Sequence, residues 1–137
     1  VKDATGDVPS GFSRMRRTGL AFYSGDDALN LAWLTHGAVG VVSVVGHVRA
    51  GAYREMVEAI GAGDLRRAQD LSIELDAVCN AIMGAGQGAV YAKAALEVLG
   101  AIPHRSVRSP LVEADAEELA VLAERLRALG ILTQGVS

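Results

Sequence analysis

Residues 39–45 read VGVVSVV. A run this apolar, too short for a helix and rich in β-branched residues, predicts a strand of a parallel sheet covered on both faces. Parallel strands need crossover connections, so such a run commits its surroundings to β/α units. The pattern before it agrees. A segment entered by an apolar residue at 1–4 and a short apolar run at 21–24 predict two more strands, Val1 to Ala4 and Ala21 to Ser24. Between them, Ser10 to Thr18 and Asp26 to His36 read as helices, the second opening on an N-cap residue and stopped by Gly37.

After Gly61 the β pattern ends. Asp64 is placed to cap LRRAQDLSIELDAVCNAIM, the GAGQG segment breaks the chain, a further helix runs to Leu99, and a last one opens with Asp115 and Glu118 in capping-box spacing. Ala68, Leu71, Leu75, Val78, Cys79 and Ile82 form one apolar stripe, and Leu119, Leu122, Leu126 and Leu129 another. The expected organisation is therefore β/α units over 1–61 and a helical domain over 62–137. Three β/α units followed by helices suggest the closing part of a barrel or of an open α/β sheet. There is no initiator Met, and residue 1 already falls in a strand, so the sequence reads as the later part of a longer chain.

The composition excludes several classes. Sixteen acids against 13 bases, a net charge of −3 and no long single-sign block argue against nucleic acid and against a membrane surface. No apolar run reaches the roughly 18 residues of a spanning helix, and no signal-peptide pattern opens the sequence. The single cysteine, Cys79, reads as a small apolar group on a helix, and a reducing, cytoplasmic setting is expected.

Lysine is scarce, with two in 137 residues against 11 arginines. Lys93, in AVYAKAALEVLG, reads as a snorkelling side chain with its amine in water. Lys2 stands at a strand in VKDATGD and admits two readings. One is a Schiff-base nucleophile, which requires an environment that lowers the amine's pKa; the other is a surface lysine, or one paired with Asp3. At barrel strands, chemistry gathers at the C-terminal ends, here the neighbourhoods of Lys2 to Thr5, Ser24 to Asp27 and Val42 to His47. Asp26 and Asp27 in SGDDALN either position a substrate or cap free backbone donors. Gly25 either admits a substrate close to the backbone or makes a plain turn. His36 falls in the last turn of a helix, His47 at a strand end and His104 in a loop. Their spacing supports no zinc site. GAGQG lacks the lysine and hydroxyl of a phosphate loop. Tyr23, Tyr53 and Tyr91 are read as packing residues.

VKDATGD, followed some twenty residues later by FYSGDDALNLAWLTHGAVGVVSVVGH, resembles the 4-hydroxy-tetrahydrodipicolinate synthase family of pyruvate-dependent class I aldolases. The resemblance runs through the RSPL segment to the C-terminal helices. It implies the C-terminal part of a (β/α)₈ TIM barrel, its last three strands followed by a C-terminal helical domain. It implies Lys2 as the imine-forming lysine, Val42 as the position whose backbone lies beside pyruvate, and Gly25, Asp26 and Asp27 as the border of the aldehyde side. The substrates implied are pyruvate and aspartate semialdehyde, with no cofactor or metal, and the assembly a homotetramer. His47 stands where many members carry Asn, and GAVYAKAAL departs from the NPxPVK pattern. Two alternatives remain at this stage. One is a sister Schiff-base lyase acting on sialic acid or a 2-keto-3-deoxy sugar acid; the other is a non-catalytic helical assembly module.

Overall fold

The computed structural model describes residues 1–132. Three short parallel strands, β1 (Lys2–Asp3), β2 (Tyr23–Ser24) and β3 (Gly40–Val41), form a sheet in the order β1-β2-β3. The helices are α1 (Val8–Thr18), α2 (Asn30–Thr35), α3 (Gly46–Gly61), α4 (Leu65–Met83), α5 (Gly88–Val98) and α6 (Ala116–Ala128). Registration is level across the sheet, with Lys2 opposite Tyr23 opposite Gly40, and Asp3 opposite Ser24 opposite Val41. The α/β class expected from the alternating pattern is the one observed.

The chain divides into two compact units, Val1–Asp76 and Ala77–Ser137, the boundary falling inside α4. In the first unit, α1 begins at Asp7, whose carboxylate accepts from Ser10 N–H, and ends at Gly19, where φ of +65° closes the left-handed cap. Its inner side meets an aromatic cluster. Phe12 lies edge-on to Trp33 at 5.2 Å, and Phe22 stacks on the same indole at 6.1 Å. Trp33 is 2% exposed. Gly11 is required here because a Cβ would stand 2.2 Å from Trp33 Cη2. The indole, itself on α2, thus seats α1 on Phe22, the residue just before β2.

The predicted helix over Asp26 to His36 opens differently. Asp26 caps a 3₁₀ turn, Asp27–Leu29, and the α-helix proper starts at Asn30. The largest correction concerns 39–45. Only Gly40 and Val41 are strand, and Val39 and Val42 are about half exposed. The remainder bends away because side chains capture its backbone. Asp27 accepts from Val44 and Val45 N–H, and Ser43 Oγ accepts from Gly46 N–H at 2.7 Å. Apolar content alone does not report such capture. His47 consequently stands in the first turn of α3 and not at a strand end.

The sequence reading names no helix over 46–61. α3 starts on a glycine, carries a kink at Arg49 (φ −130°, ψ 39°) and has a weak apolar stripe, so its periodicity is faint. Gly51 lies inside it, and a Cβ there would meet nothing within 4 Å. Gly51→Ala is expected to stabilise the protein by about 0.5–1 kcal/mol, since helical Gly costs that much relative to Ala. Urea unfolding measures it; a loss of stability would show that α3 needs the glycine.

Asp64 caps α4 as expected, its carboxylate accepting from Arg67 N–H at 2.9 Å. All six residues of the predicted α4 stripe are buried. In the second unit Asp115 and Glu118 form the anticipated capping box of α6. Glu118 also accepts from Tyr91 Oη at 2.6 Å, which holds the phenol above its ordinary pKa, and so ties α5 to α6. Leu122 and Leu126 are buried, but Leu129 is 37% exposed because the helix ends there. Lys93 does not simply reach water: its amine donates to Ser106 O at 2.6 Å.

Candidate functional site

Hydrogen bonds carry the sheet past its short strands toward the C-terminal ends. Gly25 N–H donates to Asp3 O at 2.7 Å, and Val42 N–H donates to Ser24 O at 2.7 Å. This brings three of the expected neighbourhoods to one sheet end: Lys2 on β1, Gly25 to Asp27 after β2, and Val42 after β3.

Successive strand residues face opposite sides. Lys2 is exposed, whereas Asp3 is 5% exposed and turned the other way. Asp3 does not pair with Lys2. Its Oδ2 accepts from Arg14 at 2.7 Å, and its Oδ1 accepts from Thr5 Oγ1 at 2.7 Å and Thr5 N–H at 3.1 Å. The Arg14 guanidinium foremost, with the Thr5 donors, holds the Asp3 carboxyl below its ordinary range against the opposing effect of burial. Asp3 therefore anchors the Lys2 strand to α1.

A carboxyl whose folded pKa is depressed contributes stability above its unfolded value, about 3.9, and loses that contribution as pH falls through the folded value. Arg14→Ala is expected to cost about 1–2 kcal/mol at pH 7, the guanidinium being partly exposed. The gap from wild type is expected to narrow below about pH 4. Denaturant titrations at pH 7 and pH 3 check this, and a gap that does not change with pH would remove Asp3 as its source.

The Lys2 side chain runs along Gly25. A Cβ built on Gly25 would lie 2.5 Å from Lys2 Cε, 2.9 Å from Lys2 Cγ and 2.9 Å from Ala4 Cβ. At Gly25 the geometry shows a close approach by the lysine side chain, a contact that neither sequence reading of this residue contained. Asp26 and Asp27 both serve the backbone. Asp26 Oδ1 accepts from Ala28 N–H at 3.2 Å. Asp27 Oδ2 accepts from Val44 and Val45 N–H at 2.9 and 3.1 Å, and Oδ1 from Asn30 Nδ2 at 3.2 Å. Val42 is 46% exposed at the same end of the sheet.

The histidines do not converge. His36 stacks on Phe12 with ring centroids 3.8 Å apart, His47 bonds to Val44 O at 2.8 Å, and His104 lies in a loop. Among the described residues no group of three or more His, Cys, Asp or Glu is arranged to hold a metal, and no helix is long and apolar enough to cross a membrane. The sequence reading passed over Asn30, which is 2% exposed and bonded to Asp27. Its only mark in the sequence is the three-residue spacing from Asp27.

Comparison with known proteins follows the same lines. The 4-hydroxy-tetrahydrodipicolinate synthase of Bifidobacterium longum is 45% identical over 132 residues, covering 96% of this chain and 44% of that protein. The synthase of Kineococcus radiotolerans is 47% identical over 131 residues, covering 96% and 42%. The chain thus spans less than half the length of these relatives. Among solved structures, dihydrodipicolinate synthase from Aquifex aeolicus superposes with a TM-score of 0.87 at 26% identity, over 98% of this chain and 46% of that one. The chloride-inhibited enzyme from Acinetobacter baumannii, complexed with pyruvate, superposes with a TM-score of 0.85 at 30% identity, over 96% and 45%. The model of the dihydrodipicolinate synthetase family matches residues 1–129. With nearly the whole chain matched in sequence and the same parallel α/β arrangement in space, this chain belongs to the dihydrodipicolinate synthetase family.

Proposed function

We propose that the chain is the closing part of a (β/α)₈ barrel, its last three strands followed by a C-terminal helical domain. In the whole protein it forms part of a synthase that condenses pyruvate with aspartate semialdehyde to give 4-hydroxy-tetrahydrodipicolinate, in diaminopimelate and lysine synthesis. The observation that carries this reading is the Lys2 side chain laid along Gly25 at the end of the sheet where Val42 also stands, within a chain of this family.

Lys2 is the nucleophile. Its neutral amine attacks the ketone carbon of pyruvate, the carbinolamine loses water, and a protonated imine results. The imine nitrogen draws electrons from the methyl group, which gives up a proton to form the enamine. The enamine carbon then bonds to the aldehyde carbon of aspartate semialdehyde. Attack by that substrate's own amine on the imine carbon closes the ring and expels Lys2. The lysine is itself the electron sink, so neither metal nor organic cofactor is needed.

Gly25 keeps the path of the lysine clear. Asp26 and Asp27 border the aldehyde side through the turn they shape, and Val42 presents its backbone to pyruvate. A cytoplasmic homotetramer is the assembly in keeping with this reading.

The test is borohydride reduction of the full-length protein in the presence of pyruvate, followed by peptide mass spectrometry. A pyruvate-derived adduct on Lys2 is expected, with Lys93 unmodified. Absence of an adduct on folded protein would reject Schiff-base chemistry and favour the helical assembly module.

A further inference from the structure

We infer that Asp27 and Asn30 act as a positioning pair, setting the backbone that follows β3 and thereby the place of Val42 relative to Lys2. This rests on the Schiff-base reading above.

Asp27 joins two loops distant in sequence. One carboxylate oxygen accepts from the amides of Val44 and Val45, 17 and 18 residues away, and the other accepts from Asn30 Nδ2. Val42 stands two residues before the captured amides, and its own N–H is held by Ser24 O. The turn from Val42 to Val45 is therefore pinned at both ends, to β2 by Ser24 and to the loop after β2 by Asp27. Ser43 Oγ secures its exit into α3.

Asn30 in turn fixes Asp27. It is 2% exposed, and its amide can face the carboxylate only nitrogen first, because Asp27 Oδ1 offers no proton. Its own Oδ1 has no hydrogen-bond partner among the described residues. The one polar contact this buried side chain makes through its amide group is thus the one that orients Asp27. Neither residue touches the reacting atoms in this arrangement. Both act through the Val42 to Val45 backbone.

The experiment uses full-length protein, with KM for pyruvate, kcat and borohydride trapping measured side by side. Asp27→Ala releases the two amides and is expected to raise KM for pyruvate about tenfold, the scale of one lost charge-assisted hydrogen bond. Kcat is expected to change less, and Lys2 is still trapped at saturating pyruvate. Asn30→Asp sets two carboxylates against each other and is expected to raise KM at least as far. The exchange Asp27→Asn with Asn30→Asp restores a donor facing an acceptor while leaving an amide oxygen for Val44 and Val45. It is expected to return KM to within about threefold of wild type, the distinguishing mark of a hydrogen-bonded pair.

Partial unfolding lowers kcat and leaves KM alone, so a purely structural role predicts the opposite split. If Asp27→Ala does not fold, the exchanged pair decides the matter. A folded Asp27→Ala with wild-type KM, or a folded exchange variant no better than Asn30→Asp, overturns the inference. Failure of wild type to trap pyruvate on Lys2 would instead overturn the Schiff-base reading, and the pairing with it.

Discussion

Lys2→Arg is expected to abolish the borohydride-stable adduct and to lower turnover by about 10⁴-fold or more, the scale seen when a covalent nucleophile is removed. Arginine keeps the positive charge and much of the apolar stem. Its guanidinium remains protonated at any pH at which the protein is folded, so it offers no lone pair to the ketone. Lys2 is exposed on the face of the sheet away from the Asp3–Arg14 pair, and the substitution is expected to leave unfolding free energy within about 0.5 kcal/mol of wild type. Lys93→Arg is the control. Its amine donates to Ser106 O in the second unit, and the variant is expected to retain full trapping and turnover. Steady-state rates and peptide masses decide between them. Undiminished turnover in Lys2→Arg would remove this residue from the chemistry altogether.

Gly25→Ala is expected to cost about 10²-fold in turnover, because a displacement of about 1 Å in a reacting group carries that penalty. The new Cβ would stand 2.9 Å from both Lys2 Cγ and Ala4 Cβ and closer still to Lys2 Cε. The lysine side chain can swing aside from its Cγ outward by rotation about its own bonds, but the Ala4 methyl is fixed by the backbone that follows β1. Relief must therefore come either from moving Lys2 off its path or from opening the β1–β2 contact. The first outcome leaves stability near wild type and depresses trapping. The second costs about 1–3 kcal/mol, the usual range for overpacking. Measuring turnover, trapping and urea unfolding together distinguishes the two, and a variant with wild-type values in all three would show that the approach of Lys2 to Gly25 has no part in function.

The local signals in this chain were strong where a single element settles its own structure. Asp64 and Asp115 capped the helices they precede, because a cap is a bond between residues three apart. The α4 stripe from Ala68 to Ile82 is buried throughout, as a 3.6-residue period demands. The 39–45 run misled for a physical reason. Its residues have the composition of a buried strand, yet the backbone amides of Val44 and Val45 are claimed by the carboxylate of Asp27, 17 and 18 residues earlier in the loop after β2. No window of sequence around them contains that partner.

The candidate site divides in the same way. Lys2, Gly25, Asp26 and Asp27 stand out in the sequence as candidates, through the strands they flank and a glycine before paired acids, whereas Val42 is singled out within its apolar run only by the family resemblance. What each one does was not legible. The choice between positioning a substrate and capping backbone donors for Asp26 and Asp27, and between admitting a substrate and making a plain turn for Gly25, depends on which atoms arrive from other segments. Asn30 escaped notice for that reason: a buried asparagine is distinguished only by its partner.

By itself, then, the sequence determined the α/β class, the caps that open α4 and α6, the apolar stripe of α4 and the residues that flank the strands, since these follow from spacing and local hydrogen bonding. Tertiary structure decided the length of β3, the seat of His47, the anchoring of Asp3 by Arg14 and the laying of Lys2 along Gly25. These depend on contacts between different elements, such as Asp3 with Arg14, Asp27 with Val44 and Val45, and Lys2 with Gly25, whose energy exists only once the fold has brought them together.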